Sequence, residues 1–199
     1  IMPQLDANNL TFEYETFGDA DAPPVLFIMG LGAQMTTWPI ELCQMVADQG
    51  YRVIRFDNRD VGLSSYLDHL GDPDMMEIFG AAMAGDSFDA PYDLADMARD
   101  TVGVLDALGH DTAHIVGASM GGMIAQRLVI DHPHRARSLT SIFSMPRFIP
   151  GDDEVLAALM GDAPETRDER IAAGLEAARL FSGSGFPFDD DEVRARAAE

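Results

Sequence analysis

The stretch HIVGASMGGM, residues 114–123, decides how this chain is to be interpreted. Apolar residues lead into Gly117, Ser119 stands two positions further on, and Gly121 and Gly122 follow. The pattern Gly-x-Ser-x-Gly is typical of a tight turn from a strand into a helix, which lifts the serine hydroxyl clear of the sheet. Such a turn strains the serine backbone and leaves no room beside it for a side chain at either glycine. The pattern therefore predicts that Ser119 is a nucleophile.

The residues around this turn agree with that prediction. AHIVG, residues 113–117, is a short apolar stretch that predicts a strand, and Met120, Met123 and Ile124 fall on one face of a helix beginning at Ser119. The free N–H groups of that helix start would face the charge that develops on a substrate oxygen. The alternative interpretation is a glycine-rich turn whose serine only caps the helix.

A second glycine-rich turn follows the apolar stretch VLFIM, residues 25–29, which predicts a strand buried on both faces. The turn reads Met29-Gly30-Leu31-Gly32. A serine hydrolase needs a backbone N–H at this place to complete an oxyanion hole. We expect the N–H groups of Leu31 and Met120 to be the two donors, with an ordinary strand-to-helix turn as the alternative.

Strands and helices alternate along the first three-quarters of the chain. Further strands are predicted at 10–16, 51–57 and 138–145, and helices at 40–48 after Pro39 and at 94–108, capped by Asp93. In the strand at 10–16, the alternation of apolar and polar residues predicts a solvent-exposed face that carries Glu13 and Glu15. Residues 66–90 show no period and are expected to cross over the sheet. This order predicts an α/β fold with a mostly parallel sheet.

Composition sets the domains and excludes several classes of function. Residues 1–146 are predicted to form the core, and the acidic, helical residues 147–199 the start of a cap or lid. A net charge of −21 argues against nucleic-acid binding, and no apolar run is long enough to cross a membrane. The single cysteine, Cys43, excludes an internal disulfide and argues against a thiolate metal site. We expect a cytoplasmic protein with no metal and no cofactor.

Three segments together resemble the α/β-hydrolase superfamily. FIMGLG (27–32) is similar to its oxyanion loop, FDNRDVGLSS (56–65) to its Asp-x-Arg-Gly-x-Gly-x-Ser loop, and VGASMGGMIAQ (116–126) to its nucleophile turn and helix. Met29 stands where the family commonly has histidine, and Asp60 replaces a glycine. Together with Met29-Gly30, LFSGSGFPFDDDEV (180–193) is most similar to aclacinomycin methylesterase-like enzymes. The resemblance implies a serine hydrolase acting on a small-molecule carboxylic ester.

The loop at 57–60 admits two roles within this resemblance. Either Asp57 or Asp60 is a catalytic acid, or these residues brace the oxyanion loop through Arg59 and backbone hydrogen bonds. We favour the brace, because a catalytic acid must reach a histidine beside Ser119.

The general base is the part of the machinery that the sequence does not supply. In the superfamily the acid and the histidine follow the serine on later loops, but no histidine follows His134. His132 and His134 lie at the far end of the serine's helix, His110 and His114 at the far end of its strand, and His69 is the least excluded. We therefore expect the C-terminal strands to be missing and the acid and base to come from a C-terminal segment absent from this chain.

Two further expectations follow from a missing segment. The strand predicted at 138–145 would present an uncovered apolar edge, which a second polypeptide or the C-terminal remainder would cover. Residues 1–199 alone would then be inactive as an enzyme. The alternative is a catalytically inactive hydrolase-fold fragment that acts as a binding or assembly module.

Overall fold

Six strands form one mixed sheet in the computed structural model, which describes residues 3–71, 75–84, 86–146, 153–160, 166–183, 185 and 187–198. The strands are β1 (Gln4–Ala7), β2 (Leu10–Phe17), β3 (Pro24–Ile28), β4 (Arg52–Phe56), β5 (Ala113–Ala118) and β6 (Ala136–Ile142), in the order β1-β2-β4-β3-β5-β6. Strands β4, β3, β5 and β6 run parallel, and β1 and β2 form an antiparallel pair at one edge. The predicted α/β fold with a mostly parallel sheet is confirmed.

Helix α1 (Ile40–Ala47) packs on one face of this sheet, and α3 (Leu94–Ala107) and α4 (Met120–Asp131) pack on the other. A further helix, α2 (Met75–Ala84), lies in the segment between β4 and α3. Strand β3 is buried on both faces because alternate side chains serve two cores. Leu26 and Ile28 join the core formed with α3 and α4, whereas Val25 and Phe27 join the core formed with α1.

The predicted helix boundaries that depend on caps are confirmed. Pro39 precedes the first residue of α1. The Asp93 carboxylate accepts hydrogen bonds from the N–H groups of Ala95 and Asp96, and the Asp96 side chain accepts one from the Asp93 N–H. Gly109, just beyond α3, has a φ of +77°, a conformation that glycine adopts easily.

The antiparallel edge of the sheet corrects two expectations. The sequence does not predict strand β1. The prediction that Glu13 lies on a solvent-exposed face of β2 is wrong, because Glu13 is only 4% exposed. The loop after β4 covers Glu13: its N–H donates to Ser64 Oγ at 3.0 Å and its carbonyl accepts from the Asp57 N–H at 3.0 Å. Burial, and then the nearby Asp57 charge, raise the pKa of the Glu13 carboxyl.

Two other segments differ from their predicted form. The crossing at 66–90 contains a helix, α2, which has no polar face that a periodicity analysis would detect. Strand β6 ends at Ile142 rather than at residue 145, because Phe143 turns the chain with a φ of +35°. β6 lies at the edge of the sheet, and residues 137–141 on it are exposed.

The chain divides into two units, Ile1–Arg147 and Phe148–Glu199. The second unit contains α5 (Asp153–Met160), α6 (Arg167–Phe181) and α7 (Asp190–Ala198). Thr166 and Glu169 form a reciprocal cap at the start of α6, and Arg179 pairs with Asp190 at 2.6 Å to join α6 to α7. In the segment 180–193 that carries the subgroup resemblance, Ser184 and Phe186 lie outside the described residues. No described helix is long and apolar enough to cross a membrane.

Candidate active site

Ser119 occupies a strained turn between β5 and α4. Its φ of +55° and ψ of −125° lie in a region that non-glycine residues rarely adopt. The surrounding hydrogen bonds hold this conformation: the Ser119 N–H donates to the Ile142 carbonyl at 3.0 Å, and the Gly122 N–H donates to the Ser119 carbonyl at 2.9 Å. The Ser119 side chain makes no capping hydrogen bond to α4. The interpretation of Ser119 as a simple helix cap is therefore wrong.

Glycine is required on both sides of this serine, for a reason that differs from the expected one. A Cβ on Gly117 would overlap the carbonyl oxygen of Gly121, and a Cβ on Gly121 would overlap the carbonyl oxygen of Ile28. The clashes are thus with the backbone of α4 and the end of β3, and not with Ser119 itself. The two glycines let the helix pack tightly against two neighbouring parallel strands.

Gly30, in the loop after β3, lies beside the serine. A Cβ on Gly30 would lie 3.0 Å from Ser119 Cβ and 3.3 Å from Ser119 Oγ. The next residue is Leu31, and Met120 follows the serine. Among the described residues, neither the Leu31 N–H nor the Met120 N–H donates to an acceptor. The turn therefore places two unused backbone donors in the segments that flank the hydroxyl.

Residues 57–64 hold the loop after β3 in place through hydrogen bonds. The buried Asp57 carboxylate accepts the Met35 N–H at 2.6 Å, and Asn58 Nδ2 donates to the Met29 carbonyl at 3.0 Å. Ser64 Oγ donates to the Asp57 carbonyl at 2.7 Å. Burial raises the pKa of Asp57, and the N–H donors of Met35 and Leu63 partly oppose that rise. The expected brace through backbone hydrogen bonds is confirmed for Asp57, and Asn58 in the same loop contributes to it. The expectation is wrong for Asp60, whose carboxylate accepts the Leu67 N–H at 2.6 Å instead.

Arg59 does not brace the oxyanion loop, although the sequence led us to expect that it would. Its Nε donates to Asp100 Oδ2 on α3 at 2.6 Å, and its guanidinium lies over the Tyr92 ring at 4.8 Å from the centroid. Burial works against the charge of Arg59, but the hydrogen bond and charge of Asp100 outweigh it, so its pKa is raised. Arg59 thus ties the loop to α3, not to the oxyanion loop.

A buried arginine that the sequence did not single out supports the same region. Arg55 is 1% exposed, and its Nη2 pairs with Glu15 Oε2 at 2.5 Å across the β2–β4 register. Its Nη1 donates to the carbonyls of Trp38 and Met35, in the turn that leads to α1. The one sequence signal was an arginine within the apolar strand RVIRF, which needs an acid on the neighbouring strand.

His110, His114, His132 and His134 lie where the sequence predicts, and no histidine is hydrogen-bonded to Ser119 within the described part of the chain. His114 lies on β5 with its Nδ1 2.8 Å from Ser138 Oγ. His110 precedes β5 on the side opposite the turn, and His132 and His134 follow α4, about 20 Å from its start. His69 is exposed on a short 3₁₀ turn, Asp68–Leu70.

A cavity of about 570 Å³ opens beside the turn, and Leu31 and Met120 both line it. Its other lining residues come mainly from the loop after β4 and from the segment leading into α3, and most are apolar or aromatic, including Tyr66, Phe88 and Met97. The polar lining residues include Arg59, Asp60 and Tyr92. A mainly apolar cavity with a few fixed polar groups suits a small organic ligand.

The described residues contain no cluster of three or more His, Cys, Asp or Glu side chains that could hold a metal ion. Cys43, on α1, is buried in the core, and burial raises the pKa of its thiol. A buried thiol with a raised pKa is a poor nucleophile. Leu31 and Met120 line the cavity, but Ser119 is not among its lining residues.

The chain is similar in sequence to known hydrolases. The profile of the alpha/beta hydrolase fold matches residues 23–185. The chain is 31% identical over 214 residues to rhodomycin D methylesterase DauP of Streptomyces sp. (strain C5), and 30% identical over 211 residues to rhodomycin D methylesterase DnrP of Streptomyces peucetius. These alignments cover 96% and 95% of this chain but 66% and 65% of the relatives, so the chain spans slightly less than two-thirds of their length.

A solved structure gives the same fold. The 2-hydroxy-6-oxo-6-phenylhexa-2,4-dienoate hydrolase of Rhodococcus sp. strain RHA1 superposes with a TM-score of 0.71 at 22% identity. The superposition covers 99% of this chain and 64% of that one.

Proposed function

The chain belongs to the alpha/beta hydrolase fold family, and we propose that it is a serine hydrolase acting on carboxylic esters, with Ser119 as the nucleophile. Its similarity to two methylesterases supports ester hydrolysis in general. The observation that carries the serine mechanism is the strained, uncapped Ser119 with Gly30 packed against its hydroxyl. Such strain persists where the surrounding structure enforces it, as at catalytic turns.

Ester hydrolysis proceeds in two steps, formation of an acyl-enzyme and its hydrolysis. Ser119 Oγ loses its proton to a general base and attacks the acyl carbon, and the N–H groups of Leu31 and Met120 stabilise the resulting oxyanion. Collapse expels the alcohol, which takes up the proton, and leaves an acyl-enzyme. Water then attacks the acyl-enzyme by the same route, which releases the acid and restores the serine hydroxyl. Gly117 and Gly121 keep the turn open enough for this geometry.

The general base and its acid come, in this proposal, from a segment beyond residues 1–199. Two observations support it: no histidine is hydrogen-bonded to Ser119 in the described residues, and the methylesterases are half as long again as the matched region. The same segment, or a second polypeptide, covers the exposed edge of β6. Residues 1–199 alone are then inactive.

The helical unit Phe148–Glu199 is the beginning of a cap in this proposal. Such a cap selects substrates, and the apolar walls of the cavity suit an ester whose larger portion is apolar. The relatives are named as methylesterases, so we assign the larger portion to the acid and a small one to the alcohol. A cytoplasmic location stays a prediction from the sequence.

A binding module without catalysis is the second candidate. The observation that favours it is again that no histidine is hydrogen-bonded to Ser119 in the described residues. Such a protein would hold an ester in the cavity without hydrolysing it.

Hydrolysis of a methyl ester of an apolar acid by the natural full-length protein tests the proposal. We expect Ser119→Ala to reduce kcat by at least about 10³-fold. Ser138→Ala is the matched control, because Ser138 has a histidine partner at 2.8 Å but lies exposed on β6 and not at the strained turn, and it should keep nearly full activity. Binding of the ester without turnover would favour the binding module. A His69→Ala variant as inactive as Ser119→Ala would assign the base to His69 and contradict an external base.

A further inference from the structure

A largely buried arginine lines the mainly apolar cavity. The Arg59 side chain is 10% exposed, and it shares the cavity with Leu31 and Met120, whose backbones flank Ser119. A charged group that is removed from water costs free energy unless hydrogen bonds satisfy it. The partners of each Arg59 nitrogen therefore bear on what the cavity can hold.

Two contacts fix the position of the Arg59 guanidinium. Its Nε donates to Asp100 Oδ2 at 2.6 Å, and the Asp100 side chain is itself buried. The other oxygen of this carboxylate accepts a hydrogen bond from Asn8 Nδ2 at 3.3 Å. The central carbon of the guanidinium lies 4.8 Å from the centroid of the Tyr92 ring. An ion pair and an aromatic ring thus limit the directions in which the terminal nitrogens can point.

The two terminal nitrogens of Arg59 are unused. Neither Nη1 nor Nη2 donates to an acceptor among the described residues. In the same part of the chain, the fully buried side-chain nitrogen and oxygen atoms that lack a partner are Trp38 Nε1 and Ser144 Oγ, so the Nη atoms of Arg59 are not sealed inside the protein. Since Arg59 lines the cavity, their N–H groups are available to a ligand there.

The surroundings of Arg59 favour a neutral oxygen over an anion as that ligand. Asp100 already balances the guanidinium charge, and Asp60 adds a second acidic residue to the lining of the cavity. The whole chain carries a net charge of −21, which repels anions. A carbonyl oxygen accepts a hydrogen bond from the guanidinium without bringing a negative charge into this environment.

We propose that Arg59 is a specificity-determining residue whose Nη groups bind a neutral carbonyl oxygen in the apolar acid portion of the substrate, separate from the ester group. That the ligand is an ester rests on the proposed function. The binding of a carbonyl oxygen by Arg59 does not. A ligand made of hydrocarbon alone displaces water from the guanidinium and returns no hydrogen bond, so the cavity discriminates against it.

Binding of benzophenone and diphenylmethane to the natural full-length protein tests the site without catalysis. The two probes differ in having a carbonyl or a methylene between the same two rings. We expect Arg59→Met to reduce the preference for benzophenone, measured as the ratio of the two Kd values, about tenfold. Arg59→Lys keeps the charge but not the planar fork held by Asp100 and Tyr92, and should reduce the ratio about threefold.

Arg127→Met is the matched control for the loss of an arginine. Arg127 forms an exposed ion pair with Asp131 on α4 and is not among the residues that line the cavity. This substitution removes the same charge and the same side chain as Arg59→Met. We therefore expect the ratio of the two Kd values to stay unchanged.

A second variant guards against loss of the fold. Arg59→Met leaves the buried Asp100 carboxylate without its partner, which destabilises the protein. Arg59→Met combined with Asp100→Leu removes both charges, and should lose the same preference while remaining folded. An unchanged ratio in this double variant and in Arg59→Lys, with native circular dichroism, would overturn the proposal. Failure of the unaltered protein to bind either probe would overturn it as well.

Hydrolysis separates this proposal from the proposed function. The ratio of kcat/KM for the methyl ester of para-benzoylbenzoic acid to that for para-benzylbenzoic acid should fall about tenfold in the double variant and stay constant in Arg127→Met. Equal kcat/KM values for the two esters in the unaltered protein would overturn the role of Arg59 and leave the proposed function standing. If neither ester is hydrolysed, the proposed function fails, and the Kd ratio still decides whether Arg59 binds a carbonyl oxygen.

Discussion

At Gly121, a single added methyl group should disrupt the packing of the serine turn. A Cβ there meets the Ile28 carbonyl oxygen, a backbone atom that moves only if the sheet moves. We expect Gly121→Ala to lower the free energy of unfolding by about 2–3 kcal/mol, as for an overpacked core, and to abolish reaction at Ser119. Gly80→Ala is the matched control, since a Cβ there meets nothing within 4 Å. Chemical denaturation compares the two, and equal stability would contradict the clash.

Arg55 offers a second test at the scale of single residues. Its guanidinium is buried and depends on the Glu15 carboxylate for its charge balance. Glu15→Ala leaves that charge without its acid partner, so we expect a loss of about 2–3 kcal/mol in urea denaturation. Removal of the exposed Asp89 by the same substitution should change stability by less than about 0.5 kcal/mol. A Glu15→Ala variant as stable as the Asp89 control would show that the pair is not needed.

At the scale of elements, the start of α3 carries a pH-dependent contribution. Hydrogen bonds from the Asp96 and Ala95 N–H groups lower the pKa of the Asp93 carboxyl, with burial opposing them. A lowered pKa means that the stabilisation is present above the ordinary value of 3.8 and is lost as the pH falls through the lowered one. We expect Asp93→Ala to cost about 1 kcal/mol at pH 7 and progressively less below pH 4. A cost independent of pH in thermal unfolding would contradict a carboxylate cap.

The elements that the sequence predicts best are those whose signals are local. The cap at Asp93, the apolar strand at 25–29 and the turn at Ser119 each depend on neighbouring residues, and each is found in place. The hydrogen-bond partners of Glu13 and Arg55 lie 40 or more positions away in the chain, and the partner of Asn58 lies 29 positions away. Long-range pairs of this kind leave no periodic pattern, so the sequence does not reveal them.

At the scale of the whole molecule, charge is the dominant property. The chain carries 34 acidic and 13 basic residues, for a net charge of −21. Self-repulsion of this size destabilises the folded state and is screened by salt. We expect the Tm at pH 7 to rise by roughly 3–6 °C between 0.05 M and 1 M NaCl, equivalent to about 1–2 kcal/mol. Near the pI of 4.3 the same increase in salt should raise it far less. Equal rises at both pH values would contradict repulsion as the cause.

The identity of the nucleophile is the central claim, and labelling with a fluorophosphonate tests it most directly. The natural full-length protein is treated with the probe, and intact-mass and peptide mass spectrometry locate the adduct. We predict one adduct, on the peptide that contains Ser119, and none on Ser138 beside His114. Residues 1–199 alone should stay unlabelled for want of a base. A full-length protein that remains unmodified, or an adduct on any other serine, would contradict the account.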